Sequence, residues 1–310
     1  MQFSKDELNE LTTQNGGRFA CQTLDEAYKF CRKISTSHYE NFPVASLIIP
    51  QKVRKHIFAI YAFARVADDI ADELTDDAQE LRISSLNEMI NLLEIDYFAL
   101  DSKANRKNPI FFALQDTIQL FRLPISLFQR LINAFKQDVL FEQPENFEDV
   151  FAYCNNSANP VGELVLRLFN INSIEMIGYS NSICTSLQLI NFWQDISIDK
   201  KKGRIYIPKD ILMKYNLDKL SLFESNNIAQ KRMLLNELYE ITLEILNNGK
   251  PLINHLKPLR LKLEIKAIVF SGERILKKIR KIAEKVLYLK IKLSIFDIIV
   301  LALKTLYPKV

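Results

Sequence analysis

Glycine is scarce in this sequence, 7 residues in 310, and proline is hardly commoner at 10. An all-β chain needs more tight turns than that supply covers, and disordered chains are normally richer in both residues. Cysteine is equally sparse. Cys21, Cys31, Cys154 and Cys184 show no CxxC spacing, so reduced, buried thiols are expected rather than a disulfide framework or a zinc site. No run of 18 or more uncharged apolar residues occurs. The nearest candidate, 291–303, is broken by Lys292 and Asp297 and is too short to span a bilayer. The opening stretch MQFSKDELNELTTQNGG is too polar for a signal peptide, and the chain reads as cytoplasmic. A GxGxxG or glycine-rich phosphate loop is also missing, so no Rossmann cofactor module is expected.

What is present is apolar patterning and unevenly placed charge. The formal net charge of +4 is too small to argue for nucleic acid. Residues 251–310, however, hold fourteen lysines and arginines against four acids. A basic amphipathic helix is expected over 286–310. It would rest on an anionic membrane, at the inner face of the cytoplasmic membrane, or else present a solvated lysine face. The first 20 residues read as a flexible segment.

Apolar residues recur at helical spacing nearly throughout. The pattern predicts helices over 24–34, 50–74, 77–98, 109–121, 124–138, 146–156, 160–170, 174–199, 226–248, 259–285 and 293–306. No linker or composition break divides them. The expectation is an all-α chain forming one domain over 1–310, a helical bundle around a central apolar cavity.

Two of these helices carry acids in register. In AIYAFARVADDIADE, Tyr61, Arg65, Asp68 and Asp72 follow i, i+4, i+7, i+11, one stripe of a helix, with Asp69 to one side. Carboxylates on adjacent turns repel unless a cation sits among them, and hard oxygen ligands suit Mg²⁺. A solvated acidic helix end is the other reading of a lone DDxxD, but the flanking alanine, valine, isoleucine and phenylalanine imply a mostly buried helix. In SLQLINFWQDISIDKKKGRIYIP, Gln188, Asn191, Asp195 and Asp199 form a second stripe. It is followed by Lys200, Lys201, Lys202, Gly203 for a sharp turn, and Arg204. Gln188 and Asn191 would also serve as ordinary core hydrogen-bonders. The weight lies in the pair: two such stripes 127 residues apart would make a two-sided cage for metal and diphosphate if their helices faced each other. A third segment, FAYCNNSANPVGELVLRLF, places Tyr153 and Ser157 before Asn159-Pro160, where the helix should kink or restart. Phe58, Phe63, Phe111, Phe112, Phe135, Phe151, Leu164, Leu168 and Phe192 are candidates for lining a tunnel, most of them equally good as plain core.

At YAFARVADDIAD, YCNNSANPVGELV and NFWQDISIDKKKGRIYIP, the sequence resembles the squalene/phytoene synthase family of head-to-head prenyl synthases, over roughly residues 30–290. The resemblance implies an isoprenoid synthase-type bundle that binds diphosphate through Mg²⁺. It assigns metal and diphosphate binding to Asp68, Asp72, Asn191, Asp195 and Asp199. Tyr61, Arg65, Gln188, Arg204 and Tyr206 would surround diphosphate and cation, and Tyr153 would lie beside the reacting carbons. Asp69 is counted with the metal set because it lies within reach.

In HYENFPVASLIIP, His38 and Phe42 match the His-Ser-x-Ser-Phe pattern common in dehydrosqualene-type members, while Tyr39 and Asn41 replace its serines. That form looks like the bacterial hydroxysqualene synthase branch, with His38 and Asn41 near the diphosphate. The branch takes presqualene diphosphate from a sister synthase and needs no NADPH. A squalene, dehydrosqualene or phytoene synthase is the alternative. A non-catalytic lipid-binding or assembly relative should have lost the acids kept here.

Overall fold

The structure is a computed structural model that describes residues 3–37, 48–72, 79–98 and 107–306. Among them there are fourteen α-helices and no strand. In chain order these are α1 (Lys5–Leu11), α2 (Leu24–Ser37), α3 (Gln51–Asp72), α4 (Gln79–Phe98), α5 (Pro109–Phe121), α6 (Ile125–Val139) and α7 (Phe147–Ser157). They continue as α8 (Asn159–Leu168), α9 (Ile174–Asp199), α10 (Lys209–Lys214), α11 (Ile228–Gly249), α12 (Pro251–His255), α13 (Leu259–Ile282) and α14 (Ile295–Leu306). They gather into two compact units. One comprises Met1–Leu140 with Glu163–Asn172, the other Phe141–Gly162 with Ser173–Val310.

In the first unit α3 is the central helix, packed against α2, α5 and α6. Its sequence explains the position. Ala59, Ala62 and Ala67 are fully buried and let neighbours close in, while Phe63 meets Phe111 of α5 and Phe128 of α6 edge to face at 6.0 and 5.7 Å. Beside them lies a buried polar knot. His56 Nδ1 is 2.9 Å from both the Tyr28 hydroxyl and Thr117 Oγ1, and the Tyr28 hydroxyl donates to Asp116 Oδ2 at 2.6 Å. Burial pushes the His56 pKa down to about 4, so the ring is neutral.

The first 20 residues, expected to be flexible, instead contain α1. A Ser4–Glu7 capping box starts it, and Leu8 and Leu11 are completely buried. The buried Asn108 amide donates to the Leu11 and Thr13 carbonyls at 2.8 Å, tying α1 to the start of α5.

In the second unit α9 is central, against α7, α11, α12 and α13. Ser173 caps its N-terminus by accepting from Met176 N. Trp193, 1% exposed, donates to Thr242 Oγ1 of α11 at 2.9 Å. At Gly249 α11 comes so close to α9 that a Cβ would stand 2.8 Å from Ile183 N and Tyr179 O. The restart expected at Asn159-Pro160 is present. α7 ends at Ser157, and α8 begins at Asn159, whose Oδ1 accepts from Thr185 Oγ1 of α9 at 3.0 Å. Toward the C-terminus the helix expected over 286–310 begins only at Ile295, because the 3₁₀ turn Ala283–Leu287 and a non-helical stretch over 288–294 precede it, and 307–310 lie outside the described residues. All four cysteines are free thiols, three of them buried, and burial pushes the Cys154 pKa up to about 12.

Candidate active site

The first stripe lies where the periodicity puts it. Tyr61, Arg65, Asp68 and Asp72 occupy the half-buried side of α3, while from His56 onward most of the helix's other residues are core. Asp69 points the other way and is 1% exposed. The Arg65 guanidinium spans both directions, with Nη2 2.5 Å from Asp69 Oδ1 and Nη1 3.3 Å from Asp68 Oδ2. Asp69 therefore sits against the arginine, off the stripe that Asp68 and Asp72 share. Desolvation is the largest influence on Asp68. Arg65 opposes it, but the neighbouring Asp72, Asp69 and Asp138 add to it, and the carboxyl is pushed up to about 7. Such a group holds its negative charge only at a cost until a further cation arrives.

The second stripe is equally regular. Gln188, Asn191, Asp195 and Asp199 are all half-buried on α9, between fully buried turns at Leu189–Ile190 and Phe192–Gln194. After Asp199 the chain makes one 3₁₀ turn, Lys200–Lys202. It reverses at Gly203, which takes φ 74°, with Arg204 N donating to Asp199 O at 2.9 Å. That reversal lays Tyr206 flat on Phe192, ring centroids 3.8 Å apart and planes 10° from parallel. Tyr153 of α7 approaches both rings, at 5.8 Å from Phe192 and 6.0 Å from Tyr206. Phe192, Asp199, Arg204 and Tyr206 line a small crevice there. The structure thus joins Tyr153 and Tyr206 through Phe192, on the turn after Asn191.

His38 and Asn41 lie outside the described residues. Phe63 and Phe111 are core, at 0% and 1% exposure; Phe112, Phe135 and Phe151 are half-buried. Among the described residues, no three histidine, cysteine, aspartate or glutamate side chains converge as an ion-binding group by themselves.

One neighbour of the second stripe is not foreseeable from the sequence. Lys290, in the stretch before α14, lies 3.0 Å from Asp195 Oδ1. Its segment is held to α9 by the buried Gln194 amide, which donates to Ile291 O at 2.6 Å. No periodicity links positions so far apart along the chain, and only the fold reveals this pairing.

The profile of the squalene/phytoene synthase family matches residues 35–297, and the chain belongs to that family of isoprenoid synthases. Its similarity to characterised members is spread among several activities. It is 32% identical to the hydroxysqualene synthase of Rhodopseudomonas palustris, over 79% of this chain and 81% of that one. It is 29% identical to the phytoene synthase of Mycobacterium tuberculosis over 61% of this chain, a match spanning only 60% of the relative's length. Among solved structures, the squalene synthase HpnC of Alicyclobacillus acidocaldarius superposes with a TM-score of 0.75 at 33% identity, covering 83% of this chain and 94% of that one. A dehydrosqualene synthase, at 20% identity over 91% of this chain and 96% of its own, shares the fold with a TM-score of 0.79.

Proposed function

We propose that this chain is a hydroxysqualene synthase: a magnesium-dependent enzyme that ionises presqualene diphosphate, releases diphosphate, and lets one water capture the rearranged cation as hydroxysqualene. The observation that carries this reading is the register of the acids, aligned on the half-buried side of the central helix of each unit. The relatives named hydroxysqualene synthase support the choice of product, since two of them are 32% identical over 76% and 79% of this chain.

The residues suit magnesium. Asp68, whose charge is disfavoured by desolvation and by Asp72 beside it, gains from a divalent cation. Two carboxylates on one helix face, and an amide with two carboxylates on the other, suit a metal that keeps waters and phosphate oxygens in its shell. Asp68 and Asp72 on one helix, and Asn191, Asp195 and Asp199 on the other, would each hold Mg²⁺. When bound, the ion supplies Lewis-acid stabilisation of the departing diphosphate. Arg65 and Arg204 would add positive charge, Gln188 a hydrogen bond, and His38 and Asn41 further contacts to phosphate. Asp69, buried against Arg65, would orient that guanidinium and act on metal only through it. The faces of Tyr153, Phe192 and Tyr206 would stabilise the carbocation, and Tyr61 would lie beside the diphosphate. A presqualene diphosphate synthase would supply the substrate.

Purified protein given presqualene diphosphate and Mg²⁺ without NADPH should release an alcohol. Failure to turn over presqualene diphosphate, combined with direct condensation of two prenyl diphosphates, would assign the chain to the second reading, a squalene, dehydrosqualene or phytoene synthase. The similarity to phytoene synthases keeps that reading in view. Asp68→Asn and Asp195→Asn should each lower kcat by about a thousandfold, in line with the loss of one electrostatic element. The melting temperature should hardly move.

A further inference from the structure

The last helix, α14, is turned inside out. Among its described side chains, Asp297, Leu301 and Thr305, at i, i+4 and i+8, are the buried ones. Phe296, Val300 and Leu303, at i, i+4 and i+7, face outward with 70%, 41% and 59% of their surface exposed, and Ile298 is exposed as well. A helix covering a globular core does the opposite, hiding its apolar stripe and leaving its acids in water.

The orientation is held by charge. Asp297 Oδ1 accepts from Arg274 Nε of α13 at 2.6 Å, and Oδ2 pairs with Lys278 and accepts from Ser294 N at 2.7 Å. These partners hold the Asp297 carboxyl far below the usual carboxylate range, against the opposing effect of burial. Rolling the helix to hide Phe296 would strip a buried carboxylate of its cations, which is costly.

The outward face therefore has a covering to find, and the surrounding charge names its chemistry. Residues 251–310 carry ten more positive than negative side chains along the sequence, and next to this face Lys292 and Lys304 are both exposed, the Lys304 ammonium standing 4.4 Å over the Phe270 ring of α13. A second copy of the chain would bring the same positive charge against itself. A surface of lipid phosphates would not. At twelve residues α14 is too short to cross a bilayer but suited to lie in its interface.

We propose that α14 docks this chain on the surface of an anionic bilayer, with Phe296, Val300 and Leu303 entering the boundary between headgroups and acyl chains and the neighbouring lysines meeting lipid phosphates. The proposal is independent of the reaction catalysed. Its test is flotation of the full chain with vesicles of phosphatidylcholine containing roughly a third phosphatidylglycerol, compared with phosphatidylcholine alone, at low and high salt. The chain should float with the anionic vesicles, and high salt or Lys292→Gln with Lys304→Gln should weaken binding. Phe296→Ser with Leu303→Ser should weaken it about tenfold, since an amphipathic helix binds in proportion to the apolar area it inserts. Ile174→Ser, at an apolar residue that is 90% exposed elsewhere in the same unit, should leave flotation unchanged. Melting curves of the Phe296/Leu303 and Ile174 variants should match the parent, because these side chains are exposed, and Lys304→Gln, which gives up its place over the Phe270 ring, should lower the midpoint only slightly. Three results would overturn the proposal: no preference for anionic vesicles, full flotation of the Phe296/Leu303 variant, or a vesicle-free dimer in sedimentation that this variant dissociates. The last would make the face an interface between copies.

Discussion

Lys290 sets its Nζ 3.0 Å from Oδ1 of Asp195 and 3.3 Å from Oδ2, so the first of the second stripe's two acids already has a cationic partner. Both side chains are about 30% exposed, at 31% and 29%, so the pair is weak enough to exchange. If Asp195 is a magnesium ligand, the ammonium competes with the ion. Lys290→Gln should then lower the Mg²⁺ concentration for half-maximal activity by about two- to fivefold, an effect of about 1 kcal/mol or less. A magnesium titration of turnover, paired with calorimetric binding, reads this directly. An unchanged or raised requirement would show that the lysine does not compete with the ion.

Asp68 should make the metal-free protein less stable as the solution becomes basic. Its folded pKa is about 7 against 3.8 for the free side chain, so from about pH 4 to 7 the folded state retains a proton that the unfolded chain has lost. Stability from this group is complete below the lower value and gone above the upper one. The side chain is 42% exposed, which shrinks the effect to about 1 kcal/mol at most. Denaturant melts in EDTA should show Asp68→Asn stabilising at about pH 8 and neutral near pH 4.

His56 acts with the opposite sign in much the same window. Its pKa falls from 6.5 to about 4 on folding, so the unfolded chain takes up the proton first as pH drops. The stabilisation is whole above 6.5 and is lost toward 4, amounting to roughly 3 kcal/mol. His56 is 2% exposed and Asp68 is half open, so histidine should dominate, and unfolding should become easier below about pH 6. His56→Gln should start from a lower stability and flatten that acid limb. A limb of unchanged slope would place the titrating group elsewhere.

Gly249→Ala should destabilise, although alanine is the better helix former by about 1 kcal/mol. The added methyl would stand 2.8 Å from backbone atoms of Ile183 and Tyr179, which cannot rotate aside, so α11 must shift from α9. Overpacking of this kind costs about 2–3 kcal/mol and should appear as a lower urea midpoint with an unchanged slope.

The acidic stripes were legible because polar residues at helical spacing inside an apolar run rarely arise unless they share a face. Tyr61, Arg65, Asp68 and Asp72, and likewise Gln188, Asn191, Asp195 and Asp199, do lie on single half-buried faces. The break at Asn159-Pro160 was legible for the same local reason. α1, α10 and α12 were not, since at 7, 6 and 5 residues they are too short to display a period and are fixed by contacts made elsewhere. The direction in which α14 faces was also hidden. Its pattern names an apolar stripe, but only Arg274 and Lys278 decide that the stripe turns outward.

The reversal at Gly203 has a genetic consequence. It brings Tyr206 back onto the helix that carries Asn191 and Asp195, so that Gln188, Asn191, Asp195, Asp199, Arg204 and Tyr206 all fall within nineteen consecutive codons. A single small deletion would erase that half of the proposed machinery at one stroke, and a single recombination could transplant it entire.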